Sequence, residues 1–112
     1  MSSTSKSKLF VYGTLLEPAC RERLLGHPVP IRPARLDGYR VARTRHFYIV
    51  AAPGARIDGL LLLDLSTDDF AILDRYEEVP RLYTRESIEV VGPSGEKLEC
   101  WVYMPTGVLL AD

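Results

Sequence analysis

Apolar and polar positions change rhythm several times along the chain, and each change marks an element. Leu9-Phe10-Val11-Tyr12 is a short apolar run rich in strand-forming residues that stops at Gly13-Thr14, which predicts a buried strand feeding a glycine turn. Glu17 and Pro18 suit a first helical turn, because proline has no amide to leave unpaired there and an acid meets the positive helix end; Leu24 and Leu25 close that helix before Gly26. Between His27 and Pro33, the prolines Pro28, Pro30 and Pro33 remove donors and fix the backbone, so this stretch reads as a connecting arm. Strand segments follow from Leu36 to Val41 and from Phe47 to Ala51, parted by Arg43-Thr44-Arg45-His46. After a turn at Pro53-Gly54, the nearly unbroken apolar run from Ile57 to Leu63 predicts a central strand covered on both faces. Ser66-Thr67-Asp68-Asp69 has the form of a capping box, and Phe70, Leu73 and Tyr76 recur every three residues as the buried face of a helix that Pro80 stops near Glu78. Tyr83 to Val91 and Lys97 to Met104 alternate around Gly92-Pro93-Ser94-Gly95, a hairpin pattern.

Five or six strands and two helices make an α+β domain. Residues 1–7 are small, polar and basic and read as a disordered N-terminal tail, leaving 8–112 as one domain. Fourteen basic against fifteen acidic residues give a net charge of -1, so no basic surplus draws the chain onto nucleic acid. Apolar runs such as Leu60 to Leu63 fall far short of the roughly 20 residues of a membrane helix, and the opening residues hold no apolar signal core. A cytoplasmic protein with no membrane partner is expected. Cys20 and Cys100 stand apart, and with only His27 and His46 beside them no spacing reads as a metal or haem site; no cofactor is expected.

Three places can carry chemistry. The loop Tyr12-Gly13-Thr14-Leu15 lies where a buried strand gives way to a helix, and can aim backbone N–H groups at an oxyanion or a carboxylate; a plain turn has the same local pattern. It lacks the further glycines and the lysine of a nucleotide-binding loop. Glu77 falls near the border of the helix's buried face, where it can look into a pocket. The helix C-terminus, Asp74 three residues back and partial burial against Leu73 and Tyr76 would each disfavour its charged form; the competing reading is a solvated acid at a helix end. Tyr83 can bury its ring with the hydroxyl turned inward, or simply pack a core edge, and Trp101, Tyr103, Tyr39 and Tyr48 share that ambiguity. Arg40, Arg43 and Arg45 form a basic patch able to meet a substrate carboxylate or to stand in solvent. No Ser or Cys sits in a hydrolase elbow.

Phe10-Val11-Tyr12-Gly13-Thr14-Leu15, Pro33-Ala34-Arg35-Leu36-Asp37-Gly38-Tyr39, Gly59 in its apolar strand, and Leu73-Asp74-Arg75-Tyr76-Glu77 followed by Tyr83-Thr84-Arg85 occur in one order. Together they resemble the γ-glutamylcyclotransferase-like family, its AIG2-like branch above all. The resemblance implies a compact mixed β-barrel of five to six strands with flanking helices. It implies an acyltransferase that cyclises a γ-glutamyl amine or γ-glutamyl amino acid to 5-oxoproline, with Glu77 as acid/base. Tyr12, Gly13, Thr14 and Leu15 would hold the γ-glutamyl group, and Tyr83 would be a pocket wall or hydrogen-bond donor. Glu78 stands where relatives commonly place glycine, and Tyr48-Ile49 where they often have Tyr-Pro or Phe-Pro, which bears on pocket shape and substrate. With the chain ending at Asp112, one pocket wall would be open or supplied by a second copy in a homodimer. The alternative is a non-catalytic small-molecule-binding or interaction module on the same fold.

Overall fold

The first and last strands among the described residues lie side by side. In the computed structural model, which describes residues 7–111, β1 (Leu9–Val11) pairs in parallel with β5 (Lys97–Pro105) through Leu9 and Trp101. The other strands, β2 (Ile31–Arg43), β3 (Phe47–Leu62) and β4 (Tyr83–Val91), join antiparallel, and the order β1-β3-β2-β4-β5 closes a barrel. This is the mixed five-stranded barrel that the motifs imply. Of the tail expected over residues 1–7, residues 1–6 lie outside the described part; Ser7 does not belong to a tail, since its carbonyl accepts a hydrogen bond from the Leu65 amide at 3.0 Å.

Side-chain alternation divides the core in two. Phe10, Leu36, Ile49, Leu61, Val90 and Val102, drawn from all five strands, fill the barrel. Their neighbours Leu9, Val11, Leu62 and Tyr103 turn to the other face and pack with Leu15, Leu25, Phe70, Leu73 and Leu109 beneath the helices. The apolar run of β3 is therefore covered on both sides, as its composition predicts. Gly59 is required where the end of β1 approaches β3 closely: a Cβ there would lie 2.5 Å from the Val11 carbonyl oxygen and 2.7 Å from Cζ of Phe10.

The helices begin and end where the caps predict. α1 (Pro18–Leu25) has proline in its first turn and stops at Gly26, whose φ of 80° is left-handed. In α2 (Thr67–Tyr76) the Ser66 hydroxyl accepts from the Asp69 amide while the Asp69 carboxylate accepts from the Ser66 amide, a complete capping box. Pairing overrides the local pattern elsewhere. Ile31 to Pro33, expected in the proline arm, enter β2 opposite Leu60 to Leu62; β4 joins β2 only at Arg35, so Pro33 has β3 as its one ladder neighbour and its missing amide breaks no bond there. Pro53-Gly54 is not a turn between strands. It lies in a bulge of the continuous β3, where the register steps from Asp37–Arg56 to Tyr39–Ala51, with Gly38 and Gly54 both at φ 86°. A 3-10 turn at Thr14–Leu16 and a short helix α3 (Gly107–Leu110) have no signal in the apolar rhythm.

Candidate active site

β1 delivers the chain to the site through a tight turn. After Val11, the Gly13 carbonyl accepts from the Leu16 amide at 3.0 Å and the Thr14 carbonyl from the Glu17 amide at 3.1 Å. Each peptide plane points its N–H opposite to its C=O, so the Thr14 and Leu15 amides face back toward the open start of the turn. Neither these nor the Gly13 amide donates a hydrogen bond among the described residues. The buried Arg21 holds the loop from behind, donating to the Leu15 carbonyl at 3.0 Å and the Leu16 carbonyl at 2.8 Å. Nothing in the sequence singles out Arg21, since a cation aimed at carbonyls has no periodic signature.

Glu77 enters from the end of α2 as the cap residue itself, with φ -84° and ψ 0°. The helix stops in a Schellman motif: the Glu78 amide bonds the Arg75 carbonyl at 3.1 Å, the Val79 amide bonds the Asp74 carbonyl at 2.9 Å, and Glu78 takes the left-handed φ of 56°. This geometry swings Glu77 off the helix axis into a cavity of about 370 Å³. The Glu77 carboxylate has no hydrogen-bond or ion-pair partner among the described residues, and burial pushes its pKa up to about 7. Burial alone accounts for this; Asp74, expected to contribute, has its charge taken up by Arg85 at 2.9 Å and by the Tyr103 hydroxyl at 2.7 Å.

All the residues singled out for the site, Tyr12, Gly13, Thr14, Leu15, Glu77 and Tyr83, line this one cavity. The phenols of Tyr12, Tyr83 and Tyr103 have raised pKa values, through burial first and the nearby Glu77 charge as a further cause, so they stay protonated. Each phenolic proton is already placed: Tyr12 donates to the Tyr103 carbonyl at 2.9 Å, Tyr83 to the Phe47 carbonyl at 2.5 Å and Tyr103 to Asp74. Of the two roles implied for Tyr83, the geometry therefore fits a wall. Tyr76, expected on the buried face of α2, is 42% exposed; it lines the cavity, and its hydroxyl sits 3.0 Å from Oγ1 of Thr14. Phe47 and Leu82 also line the cavity and carry no sequence signal, because nothing local distinguishes an apolar side chain facing a cavity from one facing the core. Arg43 and Arg45 line the cavity, whereas Arg40 does not. His27 lies elsewhere, its Nε2 2.8 Å from Oδ1 of Asp69. Among the described residues no group of three or more His, Cys, Asp or Glu could hold a metal, and no helix is long and apolar enough to cross a membrane.

A carboxyl that titrates near neutrality opposite a set of unengaged amides can move a proton while a negative oxygen develops beside it. Comparison with known proteins gives the arrangement its context. The family model described as "Gamma-glutamyl cyclotransferase, AIG2-like" matches residues 9–110. The protein AIG2 B of Arabidopsis thaliana is 33% identical over 97 residues, covering 81% of this chain and 56% of that protein. A Methanocaldococcus jannaschii protein, named a gamma-glutamylcyclotransferase and candidate RNase, is 27% identical over 106 residues, 92% of this chain and 48% of its own length. The chain thus spans about half the length of these curated relatives. A solution structure from Arabidopsis thaliana, 24% identical, superposes with a TM-score of 0.80 over 91% of this chain and 70% of that one, which shows the shared fold. The motifs carried by β1, α2 and β4 thus stand within one matched stretch, and the chain belongs to the gamma-glutamyl cyclotransferase, AIG2-like family.

Proposed function

We propose that this protein cyclises a γ-glutamyl amine or γ-glutamyl amino acid to 5-oxoproline and a free amine, with Glu77 as general acid/base. The observation that carries this reading is the convergence of Glu77, half-buried and unpartnered among the described residues, with the unengaged amides of Gly13, Thr14 and Leu15 on one cavity. Membership of the family supports the reaction class.

The substrate supplies its own nucleophile. Its α-nitrogen attacks its γ-carbonyl carbon, a new C–N bond closes a five-membered ring, and the original amide C–N bond breaks, so the entropic cost of bringing the reactants together is largely met before binding. The α-nitrogen begins with three hydrogens and ends in the ring with one, while the departing nitrogen begins with one and leaves as an ammonium with three. Two protons pass between the nitrogens, and a single carboxyl near neutrality can carry each in turn. Proton transfer by Glu77 is worth about 10²- to 10⁴-fold. Amides cradling the oxyanion add on the order of 10²-fold or more.

The test is 5-oxoproline release from a panel of γ-glutamyl amines, γ-glutamyl amino acids and glutathione, run on the protein and on Glu77→Gln. Release that Glu77→Gln abolishes supports the proposal. Full activity in Glu77→Gln would overturn the assignment of the base, and binding of γ-glutamyl compounds without release would leave a binding module on this fold.

A further inference from the structure

The tip of the β2–β3 hairpin gives the cavity a wall of its own charge. Arg43, Arg45 and His46 line it, with the Thr44 amide bonded to the His46 carbonyl at 3.2 Å to turn the tip. The Arg43 guanidinium is stacked over the Phe47 ring at 4.9 Å, which orients the side chain without neutralising it. Neither Arg43 nor Arg45 enters an ion pair or hydrogen bond among the described residues. The cavity's acids do not balance them: Glu78 is taken by Arg81 at 2.5 Å, and Glu77 is held largely protonated below neutrality by its burial. The result is a cavity with two uncommitted cations at its mouth in a chain whose net charge is -1.

Depth decides which part of a ligand meets them. Arg43 and Arg45 are exposed, whereas Glu77 and Tyr12 are half-buried and Tyr103 is buried. The ring-closing end of a γ-glutamyl substrate must reach the Glu77 carboxyl, deeper than the arginines, and its α-carboxylate, on the same carbon as the attacking nitrogen, goes there with it. The leaving group points the other way, toward the opening where the arginines stand. Resting on the cyclotransferase reading of this cavity, the geometry points to a leaving-group subsite in which Arg43 and Arg45 bind the carboxylate of the departing amino acid. The preferred substrate class is then γ-glutamyl amino acids rather than γ-glutamyl amines that lack a second carboxylate.

Binding separates this from the reaction itself. Calorimetric titration of γ-glutamylalanine and γ-glutamylethylamide, which differ by that carboxylate, is run at low salt on Glu77→Gln to prevent turnover and repeated with Arg43→Gln/Arg45→Gln added. Two partly exposed guanidinium contacts to one carboxylate predict about tenfold tighter binding of γ-glutamylalanine. The double arginine change should bring that ratio close to one, while Arg40→Gln, on the same strand but outside the cavity, keeps it. Equal affinity for the two ligands at the outset, no binding of either, or an equal loss for both when the arginines are changed would overturn the subsite; the last result would place the arginines on the glutamyl carboxylate. Discrimination that disappears with the arginines, in a protein that releases no 5-oxoproline, would sustain the subsite and defeat the reaction.

Discussion

Tyr83 gives its only proton to the Phe47 carbonyl oxygen at 2.5 Å, tying the first residue of β4 to the first residue of β3 across the cavity wall. Removing that hydroxyl leaves a carbonyl facing the cavity without its donor. Tyr83→Phe should lower stability by about 1 kcal/mol, which corresponds to a fall in melting temperature of roughly 5 °C for a domain of this size. Thermal and urea denaturation of the two proteins check it.

The raised pKa of Glu77 carries a stability cost with a definite sign. The folded protein holds this proton up to pH about 7, against an ordinary carboxyl value of 4.5, so between those limits the native state binds more protons than the unfolded chain and stability falls as pH rises. Glutamine copies the protonated form and escapes the effect. Glu77→Gln should therefore be more stable than the parent by about 3 kcal/mol at pH 8 and indistinguishable near pH 4, and should lose 5-oxoproline release if Glu77 is the base. Denaturant curves at both pH values give the comparison.

Glu78 occupies the left-handed position that ends α2, with φ 56° and an exposed ion pair to Arg81. Glycine adopts that conformation without the Cβ penalty, and an exposed pair contributes little. Glu78→Gly should raise stability by about 0.5–1 kcal/mol, and Glu78→Gln should retain 5-oxoproline release if Glu77 is the base. Equilibrium unfolding and the release assay measure the two effects.

These residues also show what was legible beforehand. The capping box at Ser66 and Asp69, the stop at Gly26 and the hairpin around Gly92 are written in contiguous residues whose backbone chemistry leaves few choices, and they appear where expected. Pro33 and the Pro53-Gly54 pair were misleading because their environment is decided by strands distant in sequence: one ladder neighbour tolerates the first, and a bulge absorbs the second. At the site, Glu77 and the Gly13 loop stand out by position relative to element ends. Arg21 and the cavity-facing Phe47 do not, since their roles arise only when separate elements meet.

Gly59 permits the close approach of the β1 end to β3. A methyl group there meets a backbone oxygen at 2.5 Å and the Phe10 ring at 2.7 Å, and a backbone cannot give way as a side chain tip can. Gly59→Ala should cost about 1–3 kcal/mol and shift the chemical environment of Tyr12 to Leu15, downstream of the displaced strand. Unfolding curves and amide chemical shifts test both parts.

His27 clips the arm after α1 to the buried Asp69 at the start of α2, at 2.8 Å. The imidazole pKa is raised above 6.5, first by its hydrogen bond to Asp69 and then by the Pro28 carbonyl. For Asp69, burial opposes ionisation, but hydrogen bonds from Ser66 and His27 outweigh it and hold the carboxyl below 3.8. The histidine's stabilising part is full below pH 6.5 and fades as pH rises through its folded value; the carboxyl's part is full above pH 3.8 and fades as pH falls. The melting-temperature gap between the parent and His27→Ala should be widest between those limits and shrink at pH 8, with the imidazole titrating above 6.5 by NMR.

The parallel pairing of Leu9 with Trp101 has a consequence for biosynthesis. A nascent polypeptide emerging from the ribosome carries β1 for dozens of residues before its antiparallel mate at Leu60 to Leu62 exists, and the second edge waits for Trp101. Such long sequence separations slow folding. The Gly13 turn therefore gains its fixed setting only after Trp101 has been made.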